Sequence, residues 1–90
     1  MEMNYRVSIH PHAVKFLRAQ DNETKDRLKE GLRKLESEPL SHDVKKLKGT
    51  KGRQDLYRLR IGDYRAVFSI EEDIVYVLEI IPREHGYKWL

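Results

Sequence analysis

The spacing of hydrophobic positions changes twice along the chain, from every second residue to a helical repeat and back. The second period-two stretch is the longest. Between Asp55 and Ile70 the run DLYRLRIGDYRAVFSI alternates on both sides of Gly62-Asp63. Tyr57, Leu59 and Ile61 interleave with Leu56, Arg58 and Arg60; beyond the break, Tyr64, Ala66, Phe68 and Ile70 interleave with Arg65, Val67 and Ser69. Such alternation predicts strands with one set of side chains on each face. A two-residue connection opening on Gly suits a type II′ turn, so the run predicts a β-hairpin. In that register Ile61 opposes Tyr64, Arg60 opposes Arg65, Leu59 opposes Ala66 and Arg58 opposes Val67.

The first period-two stretch, Met3 to Ile9, sets Tyr5, Val7 and Ile9 against Asn4, Arg6 and Ser8 and predicts a half-buried strand. Pro11 suits the first turn of a helix, where its missing N–H costs nothing. Ala13, Phe16 and Leu17, with Val14 beside them, supply the apolar side of a short helix ending near Gln20. His10 and His12 flank its start and read as surface or capping residues rather than metal ligands, having no third ligand nearby in sequence. Asp21-Asn22-Glu23-Thr24 is a helix-start cluster. Leu28, Leu32 and Leu35 then form one apolar stripe at helical spacing, and the helix should stop before Pro39. Gly31 weakens that helix and is expected to permit close packing. Leu40 to Gln54 predicts a loop anchored by Val44 and Leu47. After a turn at Glu71-Glu72-Asp73, Ile74 to Ile81 is apolar without strict alternation, which predicts a strand buried on both sides and central in its sheet, with the first strand beside it.

The hairpin places Tyr57, Leu59, Ile61, Tyr64, Ala66 and Phe68 on a face fit for a core, and Arg58, Arg60 and Arg65 on the other. Like charges directly across a strand pair destabilise it, and the hairpin's nearest acid, Asp63, sits in the turn. An anion, most simply a phosphate, gives that arrangement a reason. The wider charge distribution agrees. Val44 to Arg65 holds eight basic residues and two acids, within a chain of net charge only +3. That asymmetry points to a polyanion, with nucleic acid first. Lys45, Lys46, Lys48, Lys51 and Arg53 are the expected non-specific RNA contacts. Gly49-Thr50-Lys51-Gly52 lacks the ending of a P-loop and the strand before it, and reads as a basic surface loop.

Ninety residues make a single domain, 1–90. Without cysteine the chain has no disulfide, thiolate metal site or Cys nucleophile. No apolar run approaches the roughly 20 residues that span a bilayer, and no signal-peptide pattern opens the chain. The expected compartment is the cytoplasm, with no membrane partner and no cofactor or metal. The tail after Pro82 carries Arg83, His85, Tyr87 and Trp89. If the last strand pairs with the one from Tyr64 to Ile70, that tail leaves the sheet beside the hairpin arginines. Arginines there would stabilise charge on phosphoryl oxygens, Tyr87 would stack on an unpaired base, and His85 is the proton-transfer group suited to neutral pH. His85 as a surface residue, and Tyr87 with Trp89 as a cover for the core, are the plainer readings.

The run Leu47-Lys48-Gly49, the string LYRLRIGDYRAVFSI and the I-x-R-E-x-x-Y pattern from Ile81 through Arg83 and Glu84 to Tyr87 at the end of the last strand together resemble the RelE/ParE toxin superfamily, in particular its RelE branch. The likeness covers nearly the whole chain. It implies an α+β fold: one N-terminal strand, a two-helix hairpin, then a three-stranded antiparallel meander with the helices on one sheet face and the first strand beside the last. It also implies a toxin of a type II toxin–antitoxin system that cuts mRNA in the ribosomal decoding site, by metal-independent attack of a ribose 2′-hydroxyl on the adjacent phosphate. The implied partners are a cognate antitoxin, in a hetero-oligomer, and the ribosome with its message. By position, the family's two basic residues of the second strand fall on Arg58 and Arg60. Those after the turn and at the end of the last strand fall on Arg65 and Arg83, and its C-terminal tyrosine on Tyr87. The well-known bacterial members carry lysines on the second strand, one a candidate general base; a guanidinium, with a pKa above about 12, is a poor substitute. The spacing from Arg83 to Tyr87 is also shorter than in those members, and some relatives place a histidine near the end, which favours a proton-transfer role for His85.

Two other readings share the fold: a ParE-like inhibitor of DNA gyrase, and a relative that binds RNA or ribosome without cutting. For the nuclease, His85→Ala should reduce mRNA cleavage far more than ribosome binding, measured on the same preparation. Unchanged cleavage would remove His85 from the mechanism.

Overall fold

The structure, a computed structural model, describes residues 4–47 and 55–84. Within them the order is β1 (Arg6–Ile9), α1 (Pro11–Arg18), α2 (Asn22–Arg33) with a 3₁₀ turn over Lys34–Glu36, β2 (Val44–Lys46), β3 (Tyr57–Ile61), β4 (Tyr64–Glu71) and β5 (Ile74–Pro82). The strands form one sheet in the order β1-β5-β4-β3-β2, with β1 parallel to β5 and every other neighbour antiparallel. This is the expected α+β architecture with one more strand.

Local chemistry sets both helices. His10 Nδ1 accepts the His12 N–H at 3.1 Å, and Pro11 occupies the first helical turn, so His10 is a cap. Asp21 Oδ1 accepts the Thr24 N–H at 2.8 Å. That main-chain donor, with the Thr24 side chain and Arg27 also contributing, holds the Asp21 carboxyl below the usual carboxylate range. Leu28, Leu32 and Leu35 are all buried, and they face Leu59, Ile61, Ala66, Phe68, Val75, Val77 and Ile80 of the sheet across a core completed by Ala13 and Leu17. Burying each large side chain contributes about 1.5–3 kcal/mol.

The hairpin takes the expected register, including Arg60 opposite Arg65. Within its turn only Gly62 has positive φ, 58°, as a type II′ turn requires at its first central position. The next turn repeats this with Glu72, φ 58°, at a position no glycine marks.

Two expectations need correction. Leu40 to Gln54 is not wholly loop: Val44–Lys46 pairs with β3, so the antiparallel part has four strands rather than three. The Arg60 N–H donates to the Asp43 carbonyl at 3.2 Å and the Leu47 N–H to the Leu56 carbonyl at 2.7 Å, bracketing this strand. Three residues with one apolar side chain are too short to display a period. The second correction concerns β5. Its apolar run is interior, between β1 and β4, but is not buried on both sides. A β-bulge lets Val67 pair with Glu79 and Phe68 with Val77, leaving Leu78 as the extra residue. The bulge shifts the phase, so Val75, Val77 and Ile80 all reach the core. The strand buried on both faces is the middle one, β4, where Val67 is wholly buried and Ser69 nearly so on the side away from the helices.

Gly31 performs the role its position suggested. A Cβ there would sit 2.7–2.9 Å from three side-chain atoms of Ile61. Ile61 is buried and β-branched and has little freedom to withdraw. Gly31→Ala should therefore destabilise the fold by about 1–3 kcal/mol, outweighing the roughly 1 kcal/mol gain in helix propensity. Denaturant unfolding of the two proteins measures this; a more stable variant would mean that α2 does not press on β3 at this point.

Candidate functional site

The helices cover one face of the sheet, and the basic residues accumulate on the other. Cross-strand pairing arranges them in two rows. One runs Lys45, Arg58, Val67, Glu79 from β2 to β5; the next runs Arg60, Arg65, Ile81 from β3 to β5. The pairing of Tyr64 with Pro82 brings the end of β5 beside the hairpin turn, and the Arg83 N–H donates to the Asp63 carbonyl at 2.8 Å. Arg83 thus joins the second row from the far end of the sheet.

The result is an open cleft of about 480 Å³ lined by Asp43, Arg60, Gly62, Asp63, Arg65 and Arg83. Three arginines line it, one each from β3, β4 and the end of β5. The facing arginines tolerate each other because each is drawn aside. Arg60 Nη2 lies 3.9 Å from Asp43 Oδ1, toward β2. Arg65 Nη1 donates to the Arg83 carbonyl at 3.1 Å, toward β5. The exposed Arg60–Asp43 pair is worth at most about 1 kcal/mol. It orients Arg60 more than it stabilises the fold. Arg65 Nε is buried without a hydrogen-bond partner among the described residues, so this guanidinium is not fully satisfied by protein. Oriented donors around an open space suit a phosphate, whose oxygens accept several charge-assisted hydrogen bonds at once.

The remaining site candidates divide. Arg58, half-buried, and Lys45, exposed, share the arginine face but lie in the neighbouring row, outside the cleft lining. Lys46 alternates to the opposite side and pairs with Asp55 at 3.0 Å; that hydrogen bond raises its pKa. Lys48, Lys51, Arg53, His85 and Tyr87 lie outside the described residues. Among the described residues no group of three or more His, Cys, Asp or Glu side chains could hold a metal ion. None of their helices is long and apolar enough to cross a membrane. Sequence reasoning missed Asp43. The hairpin shows no acid near Arg60 because the acid comes from the chain before β2, a strand too short to be seen.

Fold and cleft together define a small α+β protein with an open, arginine-lined cleft on the sheet face that the helices leave uncovered. The family described as ParE toxin of type II toxin-antitoxin system, parDE, matches residues 7–87. The chain belongs to this toxin family, and within the RelE/ParE superfamily it falls in the RelE-like branch. It is 39% identical to a chain of the archaeal RelE-RelB complex from Pyrococcus horikoshii OT3, over 93% of this chain and 100% of that one, with a TM-score of 0.78. A Methanocaldococcus jannaschii protein named "Putative toxin RelE1" is 28% identical over 96% of this chain and 98% of its own length. The isolated E. coli RelE toxin shares the fold, with a TM-score of 0.70 at 22% identity over 94% of this chain and 90% of that one.

Two arginine variants remove different parts of the cleft. Arg83→Ala removes a guanidinium but keeps the main-chain carbonyl that receives Arg65; Arg65→Ala removes both donor and charge. Either variant should abolish toxicity on induced expression while the purified protein keeps its circular-dichroism melting transition. Full toxicity of a folded variant would contradict a role for the cleft.

Proposed function

We propose that the chain is a ribosome-dependent endoribonuclease that cuts mRNA in the decoding site and is held in check by a cognate antitoxin. The observation that carries this reading is the convergence of Arg60, Arg65 and Arg83 on one cleft. Cleavage of RNA by its own 2′-hydroxyl passes through a phosphorane with added negative charge on its non-bridging oxygens. Preorganised cationic donors aimed at such oxygens stabilise the transition state more than the ground state, and one such donor is worth about 10²–10³ in rate. Neither redox chemistry nor a covalent intermediate with the protein is required. Arg58 and Lys45, in the next row, would take the neighbouring phosphates of the message, and Tyr87 the base beside the cut. Free RNA rarely holds its 2′-oxygen in line with the leaving oxygen. The ribosome supplies that geometry by holding the codon, so a protein with a shallow cleft suffices.

The antitoxin is proposed from the relatives: the Pyrococcus horikoshii structure is a RelE-RelB complex, and so is the RelBE2 toxin-antitoxin complex of Mycobacterium tuberculosis. An acidic segment laid over the arginine face would neutralise it and exclude the message. A cytoplasmic site of action follows from the same reading.

The family match to ParE toxins keeps one other reading in view, inhibition of DNA gyrase through the same fold. Programmed ribosomes incubated with the purified chain, with mRNA ends mapped by primer extension, separate the two. The nuclease should produce cuts in ribosome-bound message and none in free message. Intact message together with blocked gyrase supercoiling would assign the chain to the ParE activity instead.

A further inference from the structure

The arginines of the cleft stabilise charge, but none can accept a proton at neutral pH, because guanidinium has no acceptor and does not deprotonate in proteins. The cleft also contains carboxylates, and one is placed to do what the arginines cannot. Asp43 is held by its own main chain, whose carbonyl accepts the Arg60 N–H at 3.2 Å. Its side chain is 39% exposed, and the residue lines the same cleft as Arg65 and Arg83. Both of its side-chain contacts fall on one oxygen: Oδ1 is 3.6 Å from His42 Nε2 and 3.9 Å from Arg60 Nη2. Among the described residues no hydrogen bond or ion pair falls on Oδ2.

We propose that Asp43 is the general base, taking the proton of the attacking 2′-hydroxyl on Oδ2; this rests on the nuclease reading above. As that proton moves to Asp43, the O2′–P bond forms and the P–O5′ bond breaks. The departing 5′-oxygen keeps the bonding pair and takes a proton from water. Asp43 returns its proton to the hydroxide left behind, so no oxidant, metal or other co-reactant is consumed. The products are a 2′,3′-cyclic phosphate and a 5′-hydroxyl. Arg60 has a double task in this arrangement: it steadies Oδ1 and presents its remaining donors to the phosphoryl oxygens. The charged and titratable groups around Asp43 are His42 on its own segment, Arg60 from β3, Arg65 from β4, Arg83 at the end of β5 and Asp63 in the hairpin turn, and on the helix side Asp26, Arg27, Glu30, Lys34 and Glu38, which share an adjoining cavity with it. A carboxylate among three arginines also accounts for the arginines on β3: with the base supplied from the start of β2, that strand needs only permanent cations.

Single-turnover cleavage on programmed ribosomes by the wild-type chain, Asp43→Asn and Asp43→Glu tests the assignment. Ribosome affinity and thermal melting are measured on the same preparations. Asp43→Asn is isosteric and leaves the main-chain bond to Arg60 in place, so it should bind and melt as wild type does. It should lose about 10²–10⁴ in cleavage rate, the usual contribution of a positioned base. Asp43→Glu, which keeps the carboxylate, should recover much of that loss. The wild-type rate should fall at acid pH, and the residual Asp43→Asn rate should not. An Asp43→Asn rate close to wild type overturns the assignment. So does a lowered rate that keeps the acid limb, because Asp43 would then only hold Arg60. A flat wild-type profile through the acid range overturns it without any variant. Wild-type cleavage with an indifferent Asp43→Asn removes Asp43 alone, whereas a wild-type chain that leaves ribosome-bound message intact removes the nuclease and its base together.

Discussion

The register of the hairpin about Gly62-Asp63 fixes which side chains are core and which are site. Because strand side chains alternate, a slip of one residue would carry Leu59, Ile61, Ala66 and Phe68 to solvent and turn the arginines into the core. Burial of that apolar set on the helices therefore determines where Arg60 and Arg65 point. Two further constraints extend the same register. Gly31 lets α2 approach Ile61 closely enough to seal the core face. The bond from the Arg83 N–H to the Asp63 carbonyl ties the end of the last strand to the turn and delivers the third arginine. The cleft is a by-product of core packing: β3 and β4 place Arg60 and Arg65, and Asp43, Gly62, Asp63 and Arg83 are held at the ends of the paired strands.

Most of this was legible in the sequence, for identifiable reasons. The hairpin announced itself through period-two alternation broken by Gly-Asp. The helices did so through Pro11, the Asp21 cap and the Leu28, Leu32, Leu35 stripe, each a local signal with a local cause. Val44–Lys46 was not legible, because a three-residue edge strand has no period and exists only through its pairing with β3. The bulge at Leu78 was misleading rather than silent. A phase shift inside an apolar run looks like burial on both faces, whereas the doubly buried strand, β4, alternates in sequence at every position but Val67. Of the charge cluster, Lys45, Arg58, Arg60 and Arg65 lie on the arginine face, but net charge cannot distinguish two adjacent rows on it. Nor could it tell that Lys46 points to the other side and pairs with Asp55.

The site illustrates how a fold accommodates like charges without neutralising them. Arg60 and Arg65 are directly opposed, yet one leans to a carboxylate at 3.9 Å and the other to a main-chain carbonyl at 3.1 Å. Both partners are exposed or weak enough to yield to a phosphate. The carbonyl carries no net charge, so Arg65 keeps its full attraction for an anion. The carboxylate lowers the local positive field somewhat, and in exchange brings into the cleft the proton acceptor that arginines lack.

The most direct test of a single convergent phosphate site is a structure of the chain on a programmed ribosome, with the message 2′-O-methylated at the cut position so that it stays intact. Convergence of the three arginines predicts the phosphate beside the blocked 2′-oxygen within hydrogen-bonding distance, about 3 Å, of the Arg60, Arg65 and Arg83 guanidinium groups. A message whose phosphates lie over Lys45 and Arg58, with the cleft between β2 and the end of β5 left unfilled, would contradict it.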